Sequence, residues 1–247
     1  MATSAGTSTH LCRQDRCEAT QARRTTQPAK AATVNITLIP GDITDFTGDV
    51  IVNAANNAGL GGGGVDGAIH RAAGPRLLEA CKALPIYEGL TGYAPGFQHS
   101  TEVRVPNGKA IPTPAFDLPC KWVFHTAGPV WVEDPDALLR LDQGPPEFPL
   151  DESQLDMARA WKLLNGCFHN PALLAMGMGL KSIAYPAIST GVYGCPIETC
   201  AEIALRWARL HIAWPLDVTF YLYPAGNLPI WQGVAKRLNL DVNIVLE

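Results

Sequence analysis

Asn53, Asn56 and Asp66 bracket four consecutive glycines, residues 61–64, in the stretch Asn53-Ala54-Ala55-Asn56-Asn57-Ala58-Gly59-Leu60-Gly61-Gly62-Gly63-Gly64-Val65-Asp66. Amides and a carboxylate can hold hydroxyl groups and a water molecule. The glycines suit a different task. Without Cβ atoms their N–H groups approach a ligand closely and adopt positive φ. Successive N–H groups in such a turn form an anion-binding concavity, and the N-terminus of a helix opening at Asp66 adds positive potential. This is chemistry for a diphosphate held by backbone rather than by lysines. Two other phosphate loops are excluded, because no Gly-Lys-Ser/Thr follows the glycines and four adjacent glycines do not make a G-x-G-x-x-G spacing.

The elements that must position these groups are legible on either side. Apolar Val50-Ile51-Val52 predicts a strand running into the asparagines. Ser182-Ile183-Ala184-Tyr185-Pro186-Ala187-Ile188 predicts a second buried strand, ending in Ser189-Thr190-Gly191-Val192-Tyr193-Gly194 and a helix with Pro196 at its first position. Two strand–loop–helix units of this kind can face each other across one ligand at the carboxyl ends of parallel strands. The folded part starts with an alternating strand at 34–39. Further strands are expected near 49–53, 109–113, 121–127, 182–187 and 217–223, with a last one at 242–246. Helices are expected near 66–73, 75–84, 153–175, 196–211 and 229–238. Strands alternating with helices argue for a sheet covered on both faces, an α/β class.

Composition bounds the rest. The 247 residues suit one α/β domain with decorations. A net charge of -4 gives no field for gripping nucleic acid. Seven cysteines, an odd count without a regular framework, suit a reducing compartment, and no apolar run reaches membrane-spanning length. With no secretory h-region, the expected place is intracellular and cytoplasmic. Residues 1–33 are poor in large apolar side chains and read as a flexible tail. Its His10, Cys12 and Cys17 fall short of the four ligands of a structural zinc site. Residues 85–107 and 132–152 read as long inserted loops, a feature that is often functional.

Together with Gly41-Asp42-Ile43-Thr44 and Phe124-His125-Thr126-Ala127-Gly128-Pro129, these motifs closely resemble a macrodomain over roughly residues 34–240, and within that superfamily the MacroD-type ADP-ribosyl hydrolases. The resemblance implies a three-layer α/β/α sandwich around a mixed, roughly six-stranded sheet. It implies ADP-ribose and ADP-ribosylated proteins as partners, and hydrolysis of mono-ADP-ribose esters on Asp or Glu and of O-acetyl-ADP-ribose. A non-catalytic module that binds ADP-ribose or a related nucleotide is the alternative. No metal or cofactor is implied, since the segment after the second helix offers His99 but no cysteine between Cys81 and Cys120. No adjacent glutamate pair follows the glycines, and no lysine follows the asparagines, so the poly(ADP-ribose) glycohydrolase and lysine-dependent branches are not matched.

Residue by residue, Asp42 matches the aspartate that accepts from the adenine amine, with a turn cap as its bland alternative. Ile43 packs on the base. Gly62, Gly63, Gly64 and Val65 line the diphosphate and distal ribose on one side, and Ser189, Thr190, Gly191, Val192 and Tyr193 wrap the other, Tyr193 leaning to the ribose. Asn56 matches the asparagine holding the distal ribose hydroxyls. Asn53 ends the strand beside the ligand, its amide satisfying local backbone groups. Tyr223 falls where relatives place an aromatic near adenine, with Tyr221 competing. Asp66, ten residues past Asn56, completes the hydrolase pair. As a helix N-cap it is expected to have a lowered pKa, and so to orient ribose and water rather than act as a strong base. His70, His125 and Trp122 read as packing residues, and Cys195 as a loop-packing thiol rather than an activated one.

Overall fold

Strands alternate with helices along the chain because apolar runs of period two alternate with stretches of helical period. The computed structural model describes residues 35–90, 92–94, 97–100, 102–131, 152–211 and 213–246, with backbone alone at 92–94, 97–100 and 152–156. The tail expected at 1–33 and most of the loop expected at 132–152 lie outside the described residues. In chain order the strands are β1 (Ile36–Ile39), β2 (Val50–Ala55), β3 (Gly92–Ala94), β4 (Phe97–Ser100), β5 (Ile111–Pro114), β6 (Trp122–Ala127), β7 (Ser182–Pro186), β8 (Asp217–Tyr221) and β9 (Asn243–Ile244). The helices are α1 (Gly64–Ala73), α2 (Pro75–Lys82), α3 (Glu152–Gly177), α4 (Ile197–Leu210) and α5 (Leu228–Arg237). The helix expected to start at Pro196 starts one residue later, with Pro196 as its N-cap.

Seven strands form one sheet in the order β5-β6-β2-β7-β8-β1-β9, and only the β5–β6 pair is antiparallel. The expected mixed α/β/α sandwich is present, with β9 as a short seventh strand on the edge. Successive residues of β2 point to opposite faces. Val50 and Val52 pack with Phe168 of α3, Trp207 of α4 and Trp231 of α5, while Ile51 packs with Ile69 of α1 and Leu77 of α2. Both faces of the sheet are therefore covered. The parallel neighbours β2 and β7 end side by side, so the asparagine–glycine loop after β2 and the glycine loop after β7 emerge together. Segment 85–107 carries a feature the sequence did not signal, the β3–β4 hairpin. Among the described residues no helix is long and apolar enough to cross a membrane.

At the opposite end of these strands Asp49 ties β2 to β7. Its carboxylate accepts from the backbone N–H groups of Lys181 (2.7 Å) and Ser182 (3.2 Å) and from Lys121 Nζ (2.6 Å). The Lys121 hydrogen bond, followed by those backbone donors, holds the Asp49 carboxyl below the usual carboxylate range despite burial. Asp49→Asn is expected to cost about 2 kcal/mol at neutral pH, the scale of a hydrogen bond to a charged group. Because the folded pKa is depressed, this stabilisation is present above the unfolded pKa and is lost as pH falls through the folded one. Urea unfolding at pH 7 and near pH 3 checks it, since the gap between wild type and variant should close in acid.

Candidate active site

A cleft of about 860 Å³ opens at the carboxyl ends of β2 and β7. One wall is the loop after β2 with the start of α1, bringing in Asn56, Gly62, Gly63, Gly64, Val65 and Asp66. The other is the loop after β7, bringing in Ser189, Gly191, Val192 and Tyr193. Asp42, Ile43, Asn53, Thr190 and Tyr223 do not line it. Asp42 caps the turn Ile43–Asp45, its Oδ1 accepting from Thr44 N–H and Oγ1 at 2.9 Å each, and Ile43 is buried. Thr190 turns its hydroxyl back onto Ala187 O (2.8 Å). β8 ends at Tyr221 rather than 223; Tyr221 is buried against Phe46, whereas Tyr223 is 82% exposed.

The glycines earn their place at specific points. Gly61 and Gly64 have φ of 85° and 59°, the left-handed region that side chains disfavour. Gly62 lies between the two polar groups, since a Cβ there would stand 3.0 Å from Asp66 Oδ2 and 3.3 Å from Asn56 Nδ2. In the facing loop Ser189 takes φ 65° without being a glycine. That strain is held by Ser189 Oγ donating to Pro129 O (2.9 Å) and by Cys195 N–H donating to Ser189 O (2.9 Å). Burial pushes the Cys195 thiol up to about 12, so it is not an activated nucleophile.

Asn56 braces its own loop: Nδ2 donates to Gly61 O (3.0 Å) and Oδ1 accepts from Gly59 N–H (3.0 Å). One amide hydrogen and one oxygen lone pair are left over for a ligand. Asp66 differs from expectation in two ways. It is the third residue of α1, and the N-cap is Gly63. Its carboxyl is also raised above the usual range, not lowered. With 4% of the residue exposed, burial dominates over the opposing Asn53 hydrogen bond and the His70 ring.

Beneath Asp66 lies a buried relay. Asn53 Nδ2 donates to Asp66 Oδ1 (2.7 Å) and faces His125 Nδ1 (3.1 Å). The Asn53 amide therefore serves two side chains, not the local backbone. Burial lowers His125 to about 3, so its ring is neutral. With Nδ1 accepting from Asn53, Nε2–H donates to Thr113 Oγ1 (2.8 Å). Reversing the Asn53 amide would set its oxygen against a carboxylate, which fixes its orientation. His70, expected only to pack, has Nε2 3.5 Å from Asp66 Oδ1. Its signal was the four-residue spacing from Asp66 on one helix face. Glu102 and Arg104 also line the cleft and were missed, because nothing local in segment 85–107 shows that its end folds back to β2.

Comparison with known proteins agrees with this geometry. The sequence matches the Macro domain family over residues 52–141 and 152–204. It is 40% identical over 200 residues to a macro domain-containing protein of Ralstonia nicotianae, spanning 81% of this chain and 94% of that protein. It is 41% identical over 200 residues to the O-acetyl-ADP-ribose deacetylase of Escherichia fergusonii, spanning 80% and 93%. Similar solved structures include the Oceanobacillus iheyensis macrodomain with ADP (TM-score 0.62, 35% identity, 82% of this chain and 91% of that one). Another is the Trypanosoma brucei macrodomain in complex with ADP-ribose (TM-score 0.59, 31% identity, 84% and 72%). A mixed sheet between two helical layers, with paired glycine loops at the ends of its central parallel strands, and matches of this extent place the chain in the Macro domain family.

Proposed function

We propose that this protein hydrolyses esters joining the distal ribose of ADP-ribose to an acyl group, both O-acetyl-ADP-ribose and mono-ADP-ribose on Asp or Glu side chains of proteins. The observation that carries this is the placement of Asn56 and the buried, raised carboxyl of Asp66 on either side of Gly62, inside the cleft formed by the two glycine loops. The deacetylase named among the relatives and the ADP-ribose complex named among the similar structures support the substrate class.

In this reading the backbone N–H groups of the two loops hold the diphosphate. Tyr193 packs against the distal ribose and Asn56 holds its hydroxyls. Asp66 orients a water and takes its proton. The water oxygen then bonds to the acyl carbon, the bond between the acyl carbon and the ribose oxygen breaks, and the ribose oxygen recovers the proton from Asp66. A raised pKa makes Asp66 a better base than an ordinary carboxylate, because proton affinity nearer the working pH favours the transfer. Much of the rate comes from holding ribose and water in one geometry.

The test pairs calorimetric binding of ADP-ribose with release of label from a glutamate-linked ADP-ribosylated protein. Binding with turnover supports the proposal, and binding without turnover replaces it with a nucleotide-binding module. One further outcome concerns the relay. The Asn53 hydrogen bond opposes the rise in the Asp66 pKa, so its loss in Asn53→Ala should shift the acid limb of the pH–rate profile to higher pH. It should also lower kcat by about tenfold through looser positioning. His125, neutral throughout, should add no limb of its own.

A further inference from the structure

β5 lies at the edge of the sheet, and of its residues only Thr113 is buried. Pro112 and Pro114 flank it and are exposed. At the one inward position of such a strand an apolar side chain would satisfy packing, so a hydroxyl calls for a polar reason. The strand register supplies it. Thr113 stands opposite Val123 of β6, and His125 of β6 stands opposite Asn53 of β2. Val123 and His125 are two residues apart and share a face, as do Ile51 and Asn53, and it is the face that α1 and α2 cover. Thr113, His125 and Asn53 therefore form a diagonal row across three strands that ends at Asp66 of α1. All four residues are buried.

Both hydrogens of the Asn53 amide are committed, one to Asp66 Oδ1 (2.7 Å) and one to His125 Nδ1 (3.1 Å). A neutral imidazole that accepts at Nδ1 carries its proton at Nε2, and that N–H needs an acceptor. Thr113 Oγ1 lies 2.8 Å from it. The hydroxyl accepts there while its own hydrogen points to Val123 O at 3.5 Å. The other neighbour of Nε2 is Cys81 Sγ of α2 at 3.7 Å, and burial pushes its thiol up to about 12, so it stays neutral. Also facing the row are His70 of α1, 3.5 Å from Asp66 Oδ1, and Arg104, whose charge acts on Cys81.

We propose that Thr113 is a positioning residue for Asp66: by accepting from His125 Nε2–H it holds the ring in the tautomer that takes an Asn53 amide hydrogen, and so keeps that amide donating to the carboxylate. This rests on the hydrolase reading above, in which Asp66 takes the proton of the water. Without the hydroxyl, Nε2–H is left with a weak sulfur acceptor. The ring then takes the other tautomer, with its proton on Nδ1 and with Nε2 accepting from the Cys81 thiol. Nδ1–H cannot face an NH2 group, so the Asn53 amide turns over and presents its oxygen to His125 and to Asp66 alike. Two oxygens in contact need a proton between them, and Asp66 takes one from solvent and keeps it. A carboxyl that holds its proton cannot accept one from water.

Thr113→Val removes the hydroxyl and keeps the shape. With O-acetyl-ADP-ribose the expected result is a fall in kcat of about tenfold at pH 7, with the acid limb of the pH–rate profile moved to higher pH. KM and ADP-ribose affinity should stay within about twofold, since Thr113 does not line the cleft. Thr113→Ser returns the hydroxyl and should return both the rate and the limb. In an Asn53→Ala background the valine should add less than about twofold, because the two residues act along one chain. Nitrogen NMR of histidine-labelled protein reads the tautomer directly, with His125 expected as Nε2–H in the wild type and Nδ1–H in Thr113→Val. An unmoved acid limb in the folded valine variant, or a loss that adds in full to that of Asn53→Ala, overturns the assignment while leaving the hydrolase reading intact. If the valine variant does not fold, the wild-type spectrum carries the test: an Nε2–H ring supports the assignment and an Nδ1–H ring overturns it. No turnover by the wild-type protein overturns both the assignment and the hydrolase reading.

Discussion

Asp66→Asn is expected to lower kcat on an ester substrate by about 10³-fold, the middle of the range for loss of a positioned general base. The dissociation constant of ADP-ribose should change by no more than about threefold, since the lost group acts on the water and not on the diphosphate. The introduced amide is nearly isosteric and can still accept from Asn53 Nδ2, now at 2.7 Å from Oδ1, so the loop keeps its shape. A second effect follows from the raised pKa of Asp66. The folded protein holds this proton more tightly than the unfolded chain, so stability from this site is present at low pH and lost as pH rises through the folded pKa. Above the folded pKa the wild-type protein carries a buried charge that the variant lacks. Melting curves across pH should therefore show Asp66→Asn at least as stable as wild type near pH 7, with the advantage vanishing in acid. Equal losses in rate and affinity, or a variant less stable at neutral pH, would contradict this account of Asp66.

Gly67→Ala should cost ADP-ribose affinity by at least tenfold, although Gly67 touches no ligand in this account. Helix propensity alone favours the change, by about 1 kcal/mol for alanine over glycine. Packing opposes it. A Cβ at Gly67 would stand 2.5 Å from the carbonyl oxygen of Gly62. An ordinary carbon–oxygen contact is about 3.3 Å, so that carbonyl must retreat by about 0.8 Å. Overpacking of this kind costs about 1–3 kcal/mol, which cancels or exceeds the propensity gain. Folding should change little, but the Gly62 peptide moves off the line between Asn56 and Asp66. A displacement near 1 Å in a positioning element can cost about 100-fold in rate. Calorimetry with ADP-ribose and a melting curve read the two effects separately. Unaltered affinity in a folded variant would mean that the loop relaxes freely and that its position is not critical.

The main architecture was legible because it rests on local patterns. Val50-Ile51-Val52, Ser182-Ile183-Ala184 and the helix containing Trp161, Leu164 and Phe168 announce themselves by period, and the glycine runs mark the loops between them. The two cleft walls followed from those loops, so Asn56, Gly62 and Ser189 were found from sequence and meet in one place. What escaped depended on contacts distant in sequence. The pKa of Asp66 was expected to fall because a helix N-terminus is a local feature, while its burial is made by the packing of several elements. His125 is 72 residues from Asn53 and Thr113 is on another strand, so their relay exists only once β2, β5 and β6 are side by side. Arg104 was hidden for the same reason, since its backbone partner Asn57 lies across the loop expected at 85–107. Tyr223 shows the reverse error: the apolar alternation continues to 223, but the strand ends at Tyr221 and Tyr223 is left on the surface.

The most direct test of the central claim is to incubate the wild-type protein with excess O-acetyl-ADP-ribose and quantify acetate and ADP-ribose together over time. The account predicts equal release of both over many turnovers, with a rate that saturates in substrate. An ester that binds the protein and survives intact would contradict it, and would make the cleft a nucleotide-binding site without hydrolytic chemistry.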